Sequence, residues 1–242
     1  MESLNQNDLP VVTKDLTKSF GPVIAVAKVN LSIGPGEIYA LVGPNGSGKT
    51  TLLKLMVGLL ASDKGSTKIY GNDISSEPIE AKKLFAFISD DPRAYDYLTG
   101  KEFLALTGNL RQISPSTAKK RIEEIANIFP LKEILNQRMG NYSRGNRQKL
   151  AFLAGFLAQP KIFFIDEPIV GLDPASIKIL GEQLRQFAKN GGTVLFSTHI
   201  LDFAKNYADR VGVMVEGRII REMALEKNTP IDELYQEMTK TE

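Results

Sequence analysis

The sequence contains no cysteine, which excludes disulfides and thiolate metal sites and is consistent with a reducing compartment. It also has no run of about 18 apolar residues, so we expect that no part of it spans a membrane, and a role at a membrane would require another chain to supply the pore. Lysine and arginine (30) nearly balance aspartate and glutamate (28). The resulting net charge of +2 gives no electrostatic reason to expect a nucleic-acid partner.

The first eight residues, from Met1 to Asp8, have neither a basic start nor an apolar stretch. We therefore expect no signal peptide, and residues 1–9 are predicted to form a mobile tail. The chain has 242 residues, of which 43% are hydrophobic and 24% charged. These values are typical of a globular chain that is large enough for one α/β domain, or for a core with a subdomain.

Short strands alternating with helices predict an α/β fold with a mostly parallel sheet. Residues 99–158 differ, since they are predicted to be mostly helical: Ile122, Ile125, Ala126 and Phe129 form one apolar helix stripe. We therefore predict a core at 10–98 and 159–222, an inserted helical subdomain at 99–158 and a C-terminal helix within 223–242. The predicted strands are 24–33, 37–42, 67–70, 85–89, 162–165, 193–197, 211–215 and 218–221, and the other predicted helices are 49–60, 175–190, 201–208 and 231–238.

A glycine-rich segment after the strand that ends at Val42 matches the phosphate-loop pattern G-x-x-x-x-G-K-[ST]. Its glycines let successive N–H groups point at one phosphate, and the following helix adds its positive N-terminal end. Lys49 is expected to reach the β- and γ-phosphates, Thr50 to ligate Mg²⁺, and Thr51 to face the α-phosphate. The predicted nucleotide-binding residues of this segment are Gly43, Pro44, Asn45, Gly46, Ser47, Gly48, Lys49, Thr50 and Thr51. The alternative is a glycine-rich turn with a chance lysine.

An acidic pair, Asp166 and Glu167, follows the apolar strand predicted at 162–165. The carboxyl end of a strand in an open parallel sheet is well placed beside a phosphate loop. Asp166 is therefore expected to hold Mg²⁺, and Glu167 to polarise the attacking water as general base. The alternative is an ordinary acidic pair at the end of a strand.

Four further segments, taken with these two, resemble the motifs of the ATP-binding-cassette (ABC) family in order and spacing. Residues 142–148, Tyr-Ser-Arg-Gly-Asn-Arg-Gln, resemble the signature motif, and residues 171–174, Gly-Leu-Asp-Pro, resemble the D-loop. Ser197-Thr198-His199 resembles the switch-histidine motif, and Phe20-Gly21 the aromatic A-loop. The resemblance covers about residues 15–208.

The resemblance implies a RecA-like ATP-binding core, an antiparallel β subdomain and a helical subdomain. It also implies that two cassettes, here expected as a homodimer, close head to tail around two ATP molecules and power a separate membrane permease. By this resemblance Ser143 and Gly145 are expected to bind the partner's γ-phosphate, Asp173 to lie at the dimer seam, and His199 to contact the γ-phosphate and water. Phe20 is expected to stack on adenine. Each of these residues also has a structural alternative. Ser143 could be a plain helix N-cap, and Asp173 could belong to an Asp-Pro turn. His199 could be structural or solvated, and Phe20 could be a core aromatic.

Two positions depart from the family pattern. Asp90 stands where family members usually carry a glutamine that touches Mg²⁺ and senses the permease; aspartate can still ligate the metal. Arg144 replaces the first glycine of the signature motif, as in cassettes of small export systems. Its cation is expected either to bind the γ-phosphate or to face solvent. Since Glu167 and His199 are intact, hydrolysis is expected.

The resemblance predicts an export subunit on the cytoplasmic face of the cell membrane, with the permease docked near residues 90–97 and no nucleic-acid partner. Residues 231–235 resemble the closing helix of small export cassettes. One competing function is a non-transport ABC ATPase acting on ribosomes or DNA, but such proteins usually carry two cassettes or a long coiled coil. Another is a GTPase or small-molecule kinase, but the guanine-reading Asn-Lys-x-Asp motif is absent.

Overall fold

The computed structural model describes residues 8–91, 95–226 and 235. The strands are β1 Val11–Phe20, β2 Val23–Ile33, β3 Ile38–Val42, β4 Lys64–Ile69, β5 Asn72–Asp73, β6 Phe85–Ile88, β7 Ile162–Asp166, β8 Thr193–Thr198, β9 Arg210–Val215 and β10 Arg218–Ala224. The α-helices are α1 Lys49–Met56, α2 Pro78–Lys83, α3 Gly100–Leu110, α4 Pro115–Ile125, α5 Arg144–Leu157, α6 Pro174–Lys189 and α7 Leu201–Tyr207, and a 3₁₀ turn covers Met139–Asn141.

The central sheet has the strand order β10-β9-β3-β8-β7-β6. Its neighbours from β9 to β6 pair in parallel, and only β10 is antiparallel, at the edge. A second, antiparallel sheet has the order β2-β1-β4-β5. Together with the helical region from α3 to α5, these sheets confirm the predicted class of fold, a mostly parallel core with an antiparallel β subdomain and a helical region.

The middle strands of the central sheet are buried on both faces, which explains their unbroken apolar sequences. Successive side chains of a strand point to opposite faces, and β3 divides its residues accordingly. Ile38, Ala40 and Val42 join the apolar cluster that includes side chains of α5 and α6. Tyr39 and Leu41 join the cluster formed with α1 and the antiparallel sheet. The core therefore has two layers, one on each side of the central sheet.

Side-chain caps define where several helices begin, among them α4. The Ser114 hydroxyl accepts a hydrogen bond from the Thr117 N–H, and Pro115 occupies the first turn. Thr99 caps α3 in the same way, and the Glu102 side chain accepts reciprocally from the Thr99 N–H, which completes a capping box. Such caps satisfy N–H groups that have no partner inside the helix.

Some predicted bounds are wrong by several residues. Helix α1 ends at Met56 rather than at residue 60, and Gly58 follows with a φ of +66°, a conformation that glycine adopts without strain and that ends a helix. Strand β10 continues to Ala224 rather than ending at residue 221, so residues 223 and 224, which the sequence analysis placed in the C-terminal segment 223–242, pair with β9.

The predicted tail lies outside the described residues except for its last two positions, and the predicted helix over 231–238 lies outside them except for Tyr235. Among the described residues, no helix combines the length and the apolar character that crossing a membrane would require.

Candidate functional site

The candidate site lies at the carboxyl edge of the central sheet, where four neighbouring parallel strands end. The glycine-rich loop follows β3, Asp90 follows β6, Asp166 ends β7, and His199 follows β8. Strand β8 lies between β3 and β7, with Thr198 opposite Val42 and Ser197 opposite Asp166. The topology thus brings segments that are far apart in the sequence to one edge, where open α/β sheets bind ligands.

The phosphate loop packs so closely on neighbouring backbone that two of its glycines leave no room for a side chain. A Cβ on Gly43 would lie 2.2 Å from the Met214 carbonyl oxygen, and a Cβ on Gly48 would lie 2.2 Å from that of Ala25. Gly48 also has a φ of +105°. Strands β9 and β2 therefore hold the loop in a shape that only glycine tolerates at these positions.

Lys49 is buried at the start of α1, and its ammonium folds over the loop. Its Nζ donates to the carbonyl oxygens of Gly43 and Pro44, at 2.8 and 3.0 Å. Burial lowers the pKa of Lys49, while the carboxylates of Glu167 and Asp166 oppose that effect. The cation is thus placed between the loop and the acidic pair, where a phosphate group would be stabilised.

Two buried oxygens of the site have no hydrogen-bond partner among the described residues, namely Ser47 Oγ in the loop and Asp166 Oδ2. Burial raises the pKa of Asp166, and the hydroxyls of Ser197 and Thr50 act in the opposite direction. Since buried polar atoms are normally paired, these oxygens indicate a ligand. A phosphate accepting from Ser47 and a cation bound to Asp166 fit them.

The described residues contain no group of three or more histidine, cysteine, aspartate or glutamate side chains arranged to hold a metal. The protein itself offers the Asp166 carboxylate and, beside it, the Thr50 side chain. Magnesium is usually held by one or two carboxylates together with substrate phosphates and water. The residues present therefore fit Mg²⁺ that arrives with a nucleotide.

Glu167 and His199 form the second part of the site. The imidazole Nδ1 lies 3.0 Å from both carboxylate oxygens of Glu167, whose side chain is largely buried. The backbone of Glu167 has a φ of +49° and its N–H donates to the Ser197 carbonyl, 3.1 Å away. This backbone conformation, unusual for a residue other than glycine, directs the carboxylate toward the segment after β8. The sequence predicts phosphate and water contacts for His199, and the structure adds this contact with Glu167.

Ser143 is exposed and caps α5, its hydroxyl accepting from the Asn146 N–H at 3.2 Å. Gly145 packs below Gly171, whose carbonyl oxygen would lie 2.3 Å from a Cβ at residue 145. This contact joins the signature-like segment to the D-loop-like segment of the same chain. Ser143 is therefore the N-cap of α5, as the structural alternative predicts. It also remains exposed at the helix N-terminus, which is a place where anions bind.

Asp173 caps α6 and pairs with a lysine that the sequence analysis passed over. One carboxylate oxygen accepts from the Ser176 N–H, and the other from the Ser176 hydroxyl and from Lys149 Nζ at 2.8 Å. These donors, Lys149 first, hold the pKa of Asp173 well below its ordinary value. Within one chain, Asp173 thus links α6 to α5.

Phe20 lies at the end of β1 and is 51% exposed, so it is not a core aromatic. The ammonium of Lys18 lies 5.8 Å from the centroid of its ring. An exposed aromatic face of this kind can stack on a nucleobase.

Asp90 and Arg144, which lie far apart in the sequence, are joined. The Arg144 guanidinium donates through Nη2 to the Asp90 carbonyl oxygen at 3.2 Å. Arg144 is exposed to solvent in this structure, as one of the two expectations has it, and its guanidinium is also bound to protein backbone.

Sequence reasoning also assigned no role to Ser197. Its hydroxyl donates to Asp166 Oδ1 at 2.5 Å, and it lies opposite Asp166 in the pairing of β7 and β8. The position of Ser197 at the carboxyl end of β8, next to the strand that ends at Asp166, was the signal that could have predicted this contact.

The comparisons with known proteins agree with this arrangement. The profile of the family described as ABC transporter matches residues 26–170, more than half of the chain. The chain is 33% identical over 235 residues to the ABC-type transporter ATP-binding protein EcsA of Bacillus subtilis, covering 94% of this chain and 95% of that protein. It is 34% identical over 221 residues to the doxorubicin resistance ATP-binding protein DrrA of Mycobacterium tuberculosis, covering 90% of this chain and 67% of that protein.

Among solved structures, one described as the ATP-binding subunit of an ABC transporter superposes with a TM-score of 0.89 at 31% identity. The match covers 95% of this chain and 99% of that one.

Proposed function

The chain belongs to the ABC transporter family as an ATP-binding subunit that hydrolyses ATP for transport, and from this premise we propose that two copies close head to tail around two ATP molecules. In this proposal each site takes its phosphate loop from one copy and the α5 N-terminus from the other. Each pair drives export through a separate membrane permease. Cassettes of the family generally dimerise and join permease subunits.

The exposed N-terminus of α5 is the observation that carries the head-to-tail arrangement. Ser143 offers a hydroxyl and a helix N-terminus, and the contact of Gly145 with Gly171 fixes its position. Helix N-termini stabilise anions through their free N–H groups and dipole. Lys49, by contrast, is engaged with its own loop on the edge of the central sheet. A γ-phosphate bound between these two elements would bring two copies together.

Within each site the roles follow from the contacts. We assign Thr50 and Asp166 to Mg²⁺, since Asp166 has an oxygen without a partner. When bound, Mg²⁺ neutralises charge on the β- and γ-phosphates. Glu167 is the general base for the attacking water, and His199 holds its carboxylate in position. Phe20 stacks on the adenine, and Asp173 faces the partner near the seam.

A mixing experiment tests the composite site, because two variants that are inactive alone should complement each other. Lys49→Ala disables the phosphate loop. Ser143→Asp keeps a good helix N-cap but places a negative charge where the γ-phosphate would bind. A mixed dimer contains one site with both changes and one site with neither. We expect ATP hydrolysis to return on mixing and to vary with the ratio of the two proteins.

The control is Ser176→Ala mixed with Lys49→Ala, which leaves the signature segment intact in both chains. If the Ser143→Asp and Lys49→Ala proteins form mixed dimers but hydrolyse no ATP, a site shared between copies is not supported. Mixed dimers can be detected by copurification of differently tagged chains on the Glu167→Gln background.

We place the permease at a groove between β6 and the helical region. Its volume is about 260 Å³, and its lining includes Phe87 from β6, Phe103 and Thr107 from α3, and Gly155 from α5. Tyr95 lies beside it with its ring 6.1 Å from that of Phe103, and Tyr97 is 87% exposed. Exposed aromatic side chains next to a groove are typical anchors of protein interfaces.

Rebinding to membranes tests this surface. Membranes of the native host, stripped of peripheral proteins, should bind the purified chain, whereas vesicles of the extracted lipids alone should not. Tyr97→Glu should reduce binding at least tenfold without affecting stability, because the ring is exposed. Leu59→Glu, which changes a residue that is 62% exposed after α1, is the matched control. An equal loss of membrane binding in both variants would argue against the groove as the site where the permease binds.

Export is proposed from the relatives, since DrrA is described by resistance to doxorubicin. With a permease partner, the chain would work at the cytoplasmic face of the membrane.

A further inference from the structure

The two positions that depart from the family pattern, Asp90 and Arg144, are in direct contact. Arg144 Nη2 donates to the Asp90 carbonyl oxygen at 3.2 Å. Asp90 follows β6 and Arg144 is the first residue of α5, so the contact joins the segment after the edge strand to the signature helix. A charge-assisted hydrogen bond to a backbone carbonyl restrains that backbone more strongly than a neutral one.

The aliphatic part of the Arg144 side chain, here called its stem, is held in place as well as its guanidinium. A Cβ placed on Gly171 would lie 3.3 and 3.4 Å from Cγ and Cδ of Arg144, so the stem runs along the surface of this glycine. The backbone at position 171 has a φ of +82°, which is a second reason why this position favours glycine. Arg144 is thereby fixed between the residue 90 segment and the D-loop-like segment, although its side chain is exposed to solvent.

A second arginine on the same turn of α5 reaches the same region. Arg147 Nη2 lies 3.3 Å from Asp96 Oδ1 and donates to the Gly140 carbonyl oxygen at 3.3 Å. Arg144 and Arg147 thus contact Asp90 and Asp96, two residues that belong to the segment between β6 and α3. Because this ion pair is partly exposed, its own energy is small, but it supports a defined placement of α5 against Asp90 and Asp96.

Asp90 brings an additional negative charge to an acidic site. Strand β6 pairs with β7, with Ile88 opposite Ile165, so Asp90 follows β6 at the edge of the sheet where Asp166 ends β7. Its charge is therefore added near the carboxylate that we assign to Mg²⁺. A glutamine at this position would add no charge, and an aspartate needs compensation nearby.

We propose that Arg144 is a positioning residue for Asp90: it holds the backbone of residue 90 so that the aspartate faces the Mg²⁺–triphosphate site, and it offsets the charge that aspartate adds. Asp90 and Arg144 are then a matched pair, which replaces the usual glutamine and glycine together. The proposal rests on the proposed function. Because Arg144 follows Ser143, the pair also connects the residue 90 segment of one ATP site to the α5 N-terminus that serves the other site.

A double-mutant cycle tests this pairing, with Asp90→Gln, Arg144→Gly and the double variant. Asp90→Gln removes the carboxylate but keeps the backbone carbonyl that Arg144 contacts, whereas Arg144→Gly removes the guanidinium. The double change gives the usual family combination. We expect each single variant to raise the Mg²⁺ concentration for half-maximal ATPase activity about threefold to tenfold, and the double variant to return close to wild type. A coupling of about fivefold or more is within the range of contacting residues.

Arg144→Lys separates positioning from loss of fold. It keeps the charge but lacks the planar guanidinium, so we expect an intermediate Mg²⁺ requirement. The unfolding temperature of every variant should stay near that of wild type, since Arg144 is exposed. A change in KM for ATP of the same size as the change in Mg²⁺ requirement would indicate a general defect.

Two results would overturn the proposal. If the effects of Asp90→Gln and Arg144→Gly simply multiply, the residues act independently. If Arg144→Gly weakens dimer closure on ATP but leaves the Mg²⁺ requirement unchanged in both backgrounds, Arg144 serves the partner's γ-phosphate instead. Binding of MgATP compared with ATP in EDTA can be measured on monomers, so this test is independent of the mixing experiment on the composite site.

Discussion

The Nδ1 nitrogen of His199 lies 3.0 Å from each carboxylate oxygen of Glu167, so the single histidine of the chain is in contact with the proposed base. The carboxylate is mostly buried and the imidazole is about half exposed. A carboxylate held from one side by an imidazole keeps a fixed orientation, as a general base requires. The contact connects the ends of β7 and β8.

Replacing Glu167 by glutamine should abolish the base while keeping the size of the side chain. We expect hydrolysis to fall by about 10² to 10⁴, with ATP binding retained and dimers trapped in the presence of ATP. Phosphate release, nucleotide binding and size-exclusion chromatography measure the three effects. The control is Glu182→Gln on the exposed face of α6. Turnover close to wild type in Glu167→Gln would remove this residue from the role of base.

Lys49→Ala should abolish nucleotide binding, because the ammonium is the buried cation beside the loop. A ligand that binds only the folded state raises its stability, so MgATP should raise the unfolding temperature of wild type and leave the variant unchanged. Lys54→Ala, at an exposed position of the same helix, is the matched control. An unchanged ATP affinity in Lys49→Ala would contradict the phosphate assignment.

Phe20→Ala should weaken ATP binding without destabilising the fold, since the ring is 51% exposed. Stacking on an aromatic ring contributes about 1–3 kcal/mol per base, which corresponds to roughly fivefold to 150-fold in affinity. Phe20→Tyr should bind as wild type does. Titration with a fluorescent ATP analogue provides the measurement, and Leu59→Ala provides a control of similar exposure. Equal affinities for Phe20→Ala and wild type would exclude stacking.

Asp173→Ala should destabilise the chain by about 1–2 kcal/mol at pH 7, because it removes a helix cap and an ion pair. Asp173→Asn keeps a cap but loses the pair with Lys149, so its effect should be smaller. The pKa of Asp173 is depressed in the folded state, and its contribution is therefore present above its ordinary pKa, near 4, and is lost as the pH falls through the folded value.

Urea denaturation at pH 7, 5 and 3 measures this dependence. The difference in free energy of unfolding between wild type and Asp173→Ala should be similar at pH 7 and 5 and should begin to shrink at pH 3. A difference that stays constant down to the lowest pH would show that the charge on Asp173 contributes nothing to stability.

The sequence by itself determined the class of fold and the motifs. Glycine spacing before Lys49, the apolar strand before Asp166 and the cap at Ser114 are local patterns, and local geometry follows from such patterns with little help from the rest of the chain. The order of the motifs along the chain was therefore sufficient to identify the family, which the comparisons confirmed.

Only the tertiary structure decided which residues meet. The contacts between His199 and Glu167, Lys149 and Asp173, and Arg144 and Asp90 join segments from different strands and helices. The length of β10 is of the same kind, because it depends on pairing with β9. The early end of α1, by contrast, has a local signal, the glycine at position 58. Long side chains such as arginine reach several positions, and packing around the stem selects one of them.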